Sequence, residues 1–231
     1  MALADDIRRL RDRVLAELNT AHDYYTDTMI AWVIVDQFVA AGNTFTINNT
    51  ATGTQTTHAD FAGKAQGYVA QHLAEATFQQ FISIFENFFF DFLRLWLLAY
   101  PQNLSRKTVE FNVVLDAPDK DAIILHVVNR KLNEALYERP AEWFKYLEEL
   151  VKLGCPTPDE IGRIGEAKVS RGVLAHNRGV ANKTYESKAG KFARYKEGDC
   201  ISVPEKYHRE TWELIRKVVA DISNAASAKV S

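Results

Sequence analysis

The sequence predicts an all-α protein, a bundle of four to five main helices with two long loops, forming one domain over residues 1–231. Three observations carry that expectation. Apolar residues recur at helical spacing through long segments. Those segments end at strong helix stops and starts, such as Gly42-Asn43, Pro101, Arg139-Pro140, Gly154 and Thr157-Pro158. The one strand-like alternation outside the loops, near residues 108–115, is too isolated to build a sheet.

Taken in order, residues 3–41 read as one long helix or two collinear ones. Ile7, Leu10, Val14, Leu15 and Leu18 share its apolar side, and the pattern resumes at Met29, Trp32, Val33, Val35 and Phe38. Residues 43–58 are rich in Thr and Asn and read as a long loop, with room for a short hairpin around Asn48-Asn49. Such a loop is either a surface connection or a flap facing a ligand. Residues 60–100 form the second and most apolar helical stretch. Within it Ser83, Glu86, Asn87, Asp91 and Arg94 fall inside an arc of roughly 140° at helical pitch, so the helix has one narrow polar face. That face is either a solvated stripe with local pairs, such as Asp91 with Arg94, or the lining of a cleft or subunit interface. The same charges argue against a membrane span.

After Pro101, residues 102–117 read as an extended piece leading into a short turn. Asp119 to Tyr137 resumes helix, and Ala141 to Leu153 forms a short amphipathic helix closed by Gly154. Thr157-Pro158-Asp159-Glu160 is a helix start, with Thr157 as cap, Pro158 in the first helical position and Glu160 completing a capping box. That helix runs toward His176. Residues 177–203 read as a polar loop, with room for a hairpin around Glu197-Gly198-Asp199. Pro204 opens a last helix reaching about Ala225, with a frayed end expected beyond it.

Composition narrows the function classes. With 47% hydrophobic and 25% charged residues the chain is ordinary for a globular domain. A net charge of -2 gives no global attraction to nucleic acid or to an acidic membrane, so any RNA contact needs a local basic patch. Cys155 and Cys200 stand far apart, and no secretory leader is evident, which fits a reducing cytoplasm. There is no Gly-rich phosphate loop, no paired CxxC and no HExxH. The six His are scattered, so neither a metal nor another cofactor is expected.

The densest chemistry lies at Arg171-Gly172-Val173-Leu174-Ala175-His176-Asn177-Arg178-Gly179. Arg is a permanent planar cation that can hold a phosphate through two hydrogen bonds. His transfers protons near neutral pH. Together they suffice for metal-independent cleavage of RNA, in which the 2′-hydroxyl attacks the adjacent phosphorus. A base takes the hydroxyl proton, and a cation stabilises charge building on the phosphoryl oxygens. Asn177 and Arg178 are placed to orient the imidazole or hold a second phosphate. The plain alternative is that Arg171 caps carbonyls and His176 complements the dipole of a helix C-terminus.

Arg171 and His176 separated by four residues, with Asn177, Arg178 and Tyr185 beyond, resemble the signature of the HEPN superfamily. The upstream helix Phe78 to Tyr100, with its aromatic run and Glu86, is similar to the second core helix of that family. The resemblance implies a HEPN-like helical bundle that forms a homodimer, two motifs lining a shared cleft, and in many members a ribonuclease acting as toxin or antiviral effector. By position it implies that Arg171 and His176 are the catalytic pair, with Glu86 in support. The basic run Lys183, Lys188, Lys191, Arg194 and Lys196 would then contact RNA, although a solvated loop has the same composition. An antitoxin protein would be a further partner. Gly172 stands where active members commonly carry a polar residue, which keeps open a non-catalytic module that dimerises and binds a partner or nucleotide.

Overall fold

The computed structural model describes residues 2–104 and 108–230, without the side chains of Phe61, Gln66 and Ala70. The described residues are predominantly helical, with one β-hairpin. The helices are α1 (Ala2–Ala40), α2 (His58–Gly67), α3 (Ala74–Ala99), α4 (Phe111–Asp116), α5 (Lys120–Leu136), α6 (Pro140–Val151), α7 (Pro158–His176), α8 (Lys183–Ala189) and α9 (Glu205–Val230). No helix among the described residues is long and apolar enough to cross a membrane.

Helix α3 is the axis of the core. Phe78, Phe81, Phe85, Phe88, Phe89 and Phe92 on it are all buried, and it packs against α1, α5, α7 and α9. Rings of this size each bury a large apolar area. The ring of Phe89 stacks on Trp143 of α6 with centroids 5.4 Å apart, and Phe85 meets Phe144 at 6.2 Å. These contacts lock α6 beside α3 and bring α7 alongside.

Helix α1 is a single helix, and its buried residues stop at Tyr25. Beyond that point it extends past the core and carries the hairpin. Strands β1 (Thr46–Asn49) and β2 (Thr54–Thr57) pair antiparallel with Thr46 opposite Thr57. The turn therefore falls at residues 50–53 and not at Asn48-Asn49. Asn49 makes it there, because its side-chain oxygen accepts from the N–H groups of Ala51 and Thr52, and Gly53 takes the left-handed conformation.

Three other expectations need correction. The stretch 60–100 is interrupted by a π-helical turn, Tyr68–Leu73, between α2 and α3. Within 102–117, a 3₁₀ turn (Pro101–Leu104) and helix α4 replace most of the extended piece, while residues 105–107 lie outside the described residues. The last helix does not fray at Ala225. Ala226 is fully buried and Val230 packs on the core, so the apolar period of α9 carries it to Val230.

One buried polar residue joins the three longest helices. His208 of α9 is fully buried between Tyr25 of α1, ring centroids 4.0 Å apart, and Phe81 of α3, 4.7 Å apart. Thr77 gives its hydroxyl proton to the Leu73 carbonyl at 2.8 Å, which leaves its lone pair for the His208 Nε2–H at 2.8 Å. The Nδ1 atom has no partner. Burial lowers the His208 pKa to about 4, and nearby His22 pushes the same way.

This burial makes stability depend on pH. The folded state holds the imidazole neutral, whereas the unfolded chain protonates it below about pH 6.5. Its contribution to stability is therefore complete above pH 6.5 and is lost as pH falls from there to about 4. Urea unfolding across that window should show a loss of about 3 kcal/mol, since each tenfold change in proton affinity is worth about 1.4 kcal/mol. His208→Phe should flatten the profile, and an unchanged profile in that variant would show that other groups set the acid sensitivity.

Candidate functional site: a basic cleft along helix α7

Helix α7 starts as its sequence demands. The Thr157 hydroxyl accepts from Glu160 N–H at 3.3 Å, and the Glu160 carboxylate accepts from Thr157 N–H at 2.8 Å, closing the capping box. Lys217 of α9 ties the same carboxylate at 2.7 Å. The helix ends at His176. Asn177 caps it, and Arg178 and Gly179 both take positive φ, +53° and +74°, which turns the chain back on itself. The Asn177 side-chain amide donates to the Val180 carbonyl and holds that turn.

One face of α7 opens onto a cleft of about 630 Å³. Its other walls are α8 and the turn from Leu136 to Ala141 between α5 and α6. Arg171, His176 and Asn177 line it together, joined by Lys188 of α8. Lys168, one turn before Arg171, and Arg139 of the α5–α6 turn add two cations that sequence reasoning did not single out. Gly165 and Gly172 form bare floor, with nothing within 4 Å of where a Cβ would project.

Lys168 shows what kind of field fills the cleft. Its ammonium pairs with Glu86 of α3 at 2.8 Å and sits 3.7 Å above the Trp143 ring. Burial lowers its pKa, Glu86 opposes that, and Arg171 and Lys188 reinforce it. Several cations thus share one concave surface, the arrangement that attracts a polyanion. Glu86 acts through Lys168 and reaches the cleft only at second hand. The rest of the polar stripe divides. Asp91 accepts from Arg13 of α1 at 2.8 Å, whereas Asn87 and Arg94 are exposed.

The expected basic loop is reorganised. Residues 177–203 contain helix α8, a 3₁₀ turn (Gly190–Phe192) and a single bridge between Val180 and Cys200 in place of a hairpin. The signals were Asn182, which caps α8 by accepting from Tyr185 N–H at 2.9 Å, and Tyr185 itself, which is fully buried. Of the basic run only Lys188 lines the cleft. Lys183 and Lys191 are exposed elsewhere, as is Arg178. Arg194 lies over the Tyr207 ring at 3.9 Å and within 3.6 Å of Glu166 and of Glu210, on another face of α7.

Glu166 is a residue that sequence reasoning missed altogether. Its side chain is 3% exposed. It accepts hydrogen bonds from Ser170 (2.8 Å), Tyr185 (2.8 Å) and Tyr207 (2.7 Å). A carboxylate in the same helical phase as buried Ala167, Ser170 and Val173 was the available signal. Burial, and next the Glu166 charge, raise the Tyr185 phenol to about 12, so it stays a donor at every physiological pH. This cluster anchors α8 to α7 and thereby holds one wall of the cleft. Among the described residues no group of three or more His, Cys, Asp or Glu is placed to hold a metal ion.

Removing this carboxylate should leave the Ser170, Tyr185 and Tyr207 hydroxyls without their acceptor and the Arg194 guanidinium with Glu210 alone. Glu166→Leu is therefore expected to cost about 3–5 kcal/mol in urea unfolding. Lys183→Ala, at an exposed site, should change stability by less than about 0.5 kcal/mol. Equal small losses in the two variants would refute the anchoring role.

No family model, curated protein or solved structure matches the chain.

Proposed function

We infer that the protein is a metal-independent endoribonuclease of the HEPN kind that cleaves RNA by attack of the 2′-hydroxyl on the adjacent phosphorus. The observation that carries this reading is that Arg171 and His176 open onto one cleft whose walls add Lys168 and Lys188. In this reading Arg171 grips the scissile phosphate and stabilises its transition-state charge. His176 takes or returns a proton. Lys188 and Lys168 raise the positive potential that draws the strand in. His176 is the imidazole on the cleft wall, and the reaction has two proton transfers to serve. A homodimer that brings two clefts together would supply a second imidazole and complete the site. A toxin or phage-defence role, with an antitoxin protein as partner, fits a nuclease of this type.

A second reading is favoured by the bare floor at Gly165 and Gly172. A cleft with cationic walls and an apolar base also suits a non-catalytic module that holds a nucleotide or a partner protein.

Cleavage of RNA in excess EDTA, leaving 2′,3′-cyclic phosphate ends, distinguishes the two. His176→Ala and Arg171→Ala should each lower the rate by about a hundred- to ten-thousandfold without changing the melting temperature. If wild type and both variants are equally inert, the nuclease reading fails and the binding module stands. In a binding assay Lys188→Ala should weaken RNA uniformly across sequences and reduce the salt slope by about one. No change in slope would remove Lys188 from the contact.

A further inference from the structure

We propose that Tyr137 is a stacking platform that makes the cleft selective for RNA with an unpaired base beside the bound phosphate. The inference rests on the RNA reading above and names a residue which that reading does not need. Tyr137 is 89% exposed, the highest value among the exposed large hydrophobic residues, and it lines the same cleft as Arg171 and His176. No hydrogen bond or ring contact holds its side chain among the described residues. Single exposed aromatic rings are common on protein surfaces, and what sets this one apart is its place on the wall of the cationic cleft, where its face is open to a base.

The ring is displayed on a rigid support. Tyr137 caps the C-terminus of α5, and Pro140 starts α6 three residues later. Between them Glu138 N–H reaches the Ala135 carbonyl at 3.0 Å, and the buried Trp143 indole N–H reaches the same carbonyl at 2.6 Å. Glu142 and Trp143 N–H both return to the Arg139 carbonyl, at 2.9 and 3.2 Å. These bonds hold the backbone that carries the ring, and shifting it would break the buried Trp143 contact. Trp143 also carries Lys168 on its ring face, so the Tyr137 turn and the cationic wall are built on the same side chain.

An aromatic face next to fixed cations is the arrangement that binds single strands. The cations take the phosphates, and the ring takes a base. A duplex offers its phosphates but keeps its bases stacked inside, and its bases cannot reach a ring at the mouth of the cleft. The cleft therefore binds duplex through charge alone and an unpaired strand through charge and stacking.

The test uses the full chain and a single-stranded 2′-O-methyl RNA oligonucleotide, which lacks the attacking hydroxyl and so reports binding without cleavage. A 2-aminopurine in the oligonucleotide reports stacking through quenching. Wild type should bind and quench. Tyr137→Ala should lose the quenching and bind roughly five- to a hundredfold more weakly, with an unchanged melting temperature because the side chain is exposed. Tyr137→Trp should retain both signals. Affinity for a duplex of the same length should be equal in all three proteins. If Arg171→Ala abolishes binding while Tyr137→Ala binds and quenches like wild type, the stacking role is overturned and the cleft reading survives. If Tyr137→Ala weakens duplex and single strand equally, the role is also overturned. If wild type neither binds nor cleaves RNA, the nuclease reading falls and takes this inference with it.

Discussion

The carboxylate of Glu166 is the constraint on which the rest of the site depends. A charge this deeply buried is tolerated only when its lone pairs are satisfied, and Ser170, Tyr185, Tyr207 and the nearby Arg194 guanidinium do that together. These partners come from α7, α8, α9 and the segment between the last two. Satisfying one charge therefore fixes how three helices meet. The Tyr185 hydroxyl passes the constraint on by accepting from the backbone N–H of Arg194 at 3.0 Å, which pins a segment with little core of its own. With α8 held this way, it stands as one wall of the cleft that runs along α7.

A second linkage runs from the core to the chemistry. Phe89 stacks on Trp143, Trp143 carries Lys168 over its ring, and Lys168 pairs with Glu86. Apolar packing of α3 against α6 thus determines where a cation stands one turn from Arg171. A lysine ammonium between an aromatic face and a carboxylate has few rotamers left, so the position of its charge is fixed. Burial lowers its pKa most, Glu86 opposes that, and the nearby cations Arg171 and Lys188 push the same way as burial.

Local patterns explain which expectations held. The capping box at Thr157 and Glu160 and the stop at Gly154 involve residues only a few positions apart, so the sequence determines them before any tertiary contact forms. The helical spread of Phe residues on α3 made it the core helix in the same way. The 177–203 segment misled because its scattered lysines and glycines read as loop, while Asn182 and Tyr185, which build α8, are single residues. The end of α9 misled because Ala and Ser look indifferent in isolation, yet Ala226 is buried against neighbours far away in the chain.

By itself the sequence determined the helical class, most helix boundaries and the clustering of Arg171, His176 and Asn177 at one helix end. These follow from period and capping, which act over a few residues. Only the tertiary structure decided which charges share a surface. It brought Lys168, Lys188 and Arg139 to the motif, sent Arg194 to another face, gave Glu86 an indirect part and stood Tyr137 at the cleft mouth. Those outcomes depend on long-range packing around Phe89 and Trp143 and on partners of one buried carboxylate that come from three helices, which no local pattern in the chain sets.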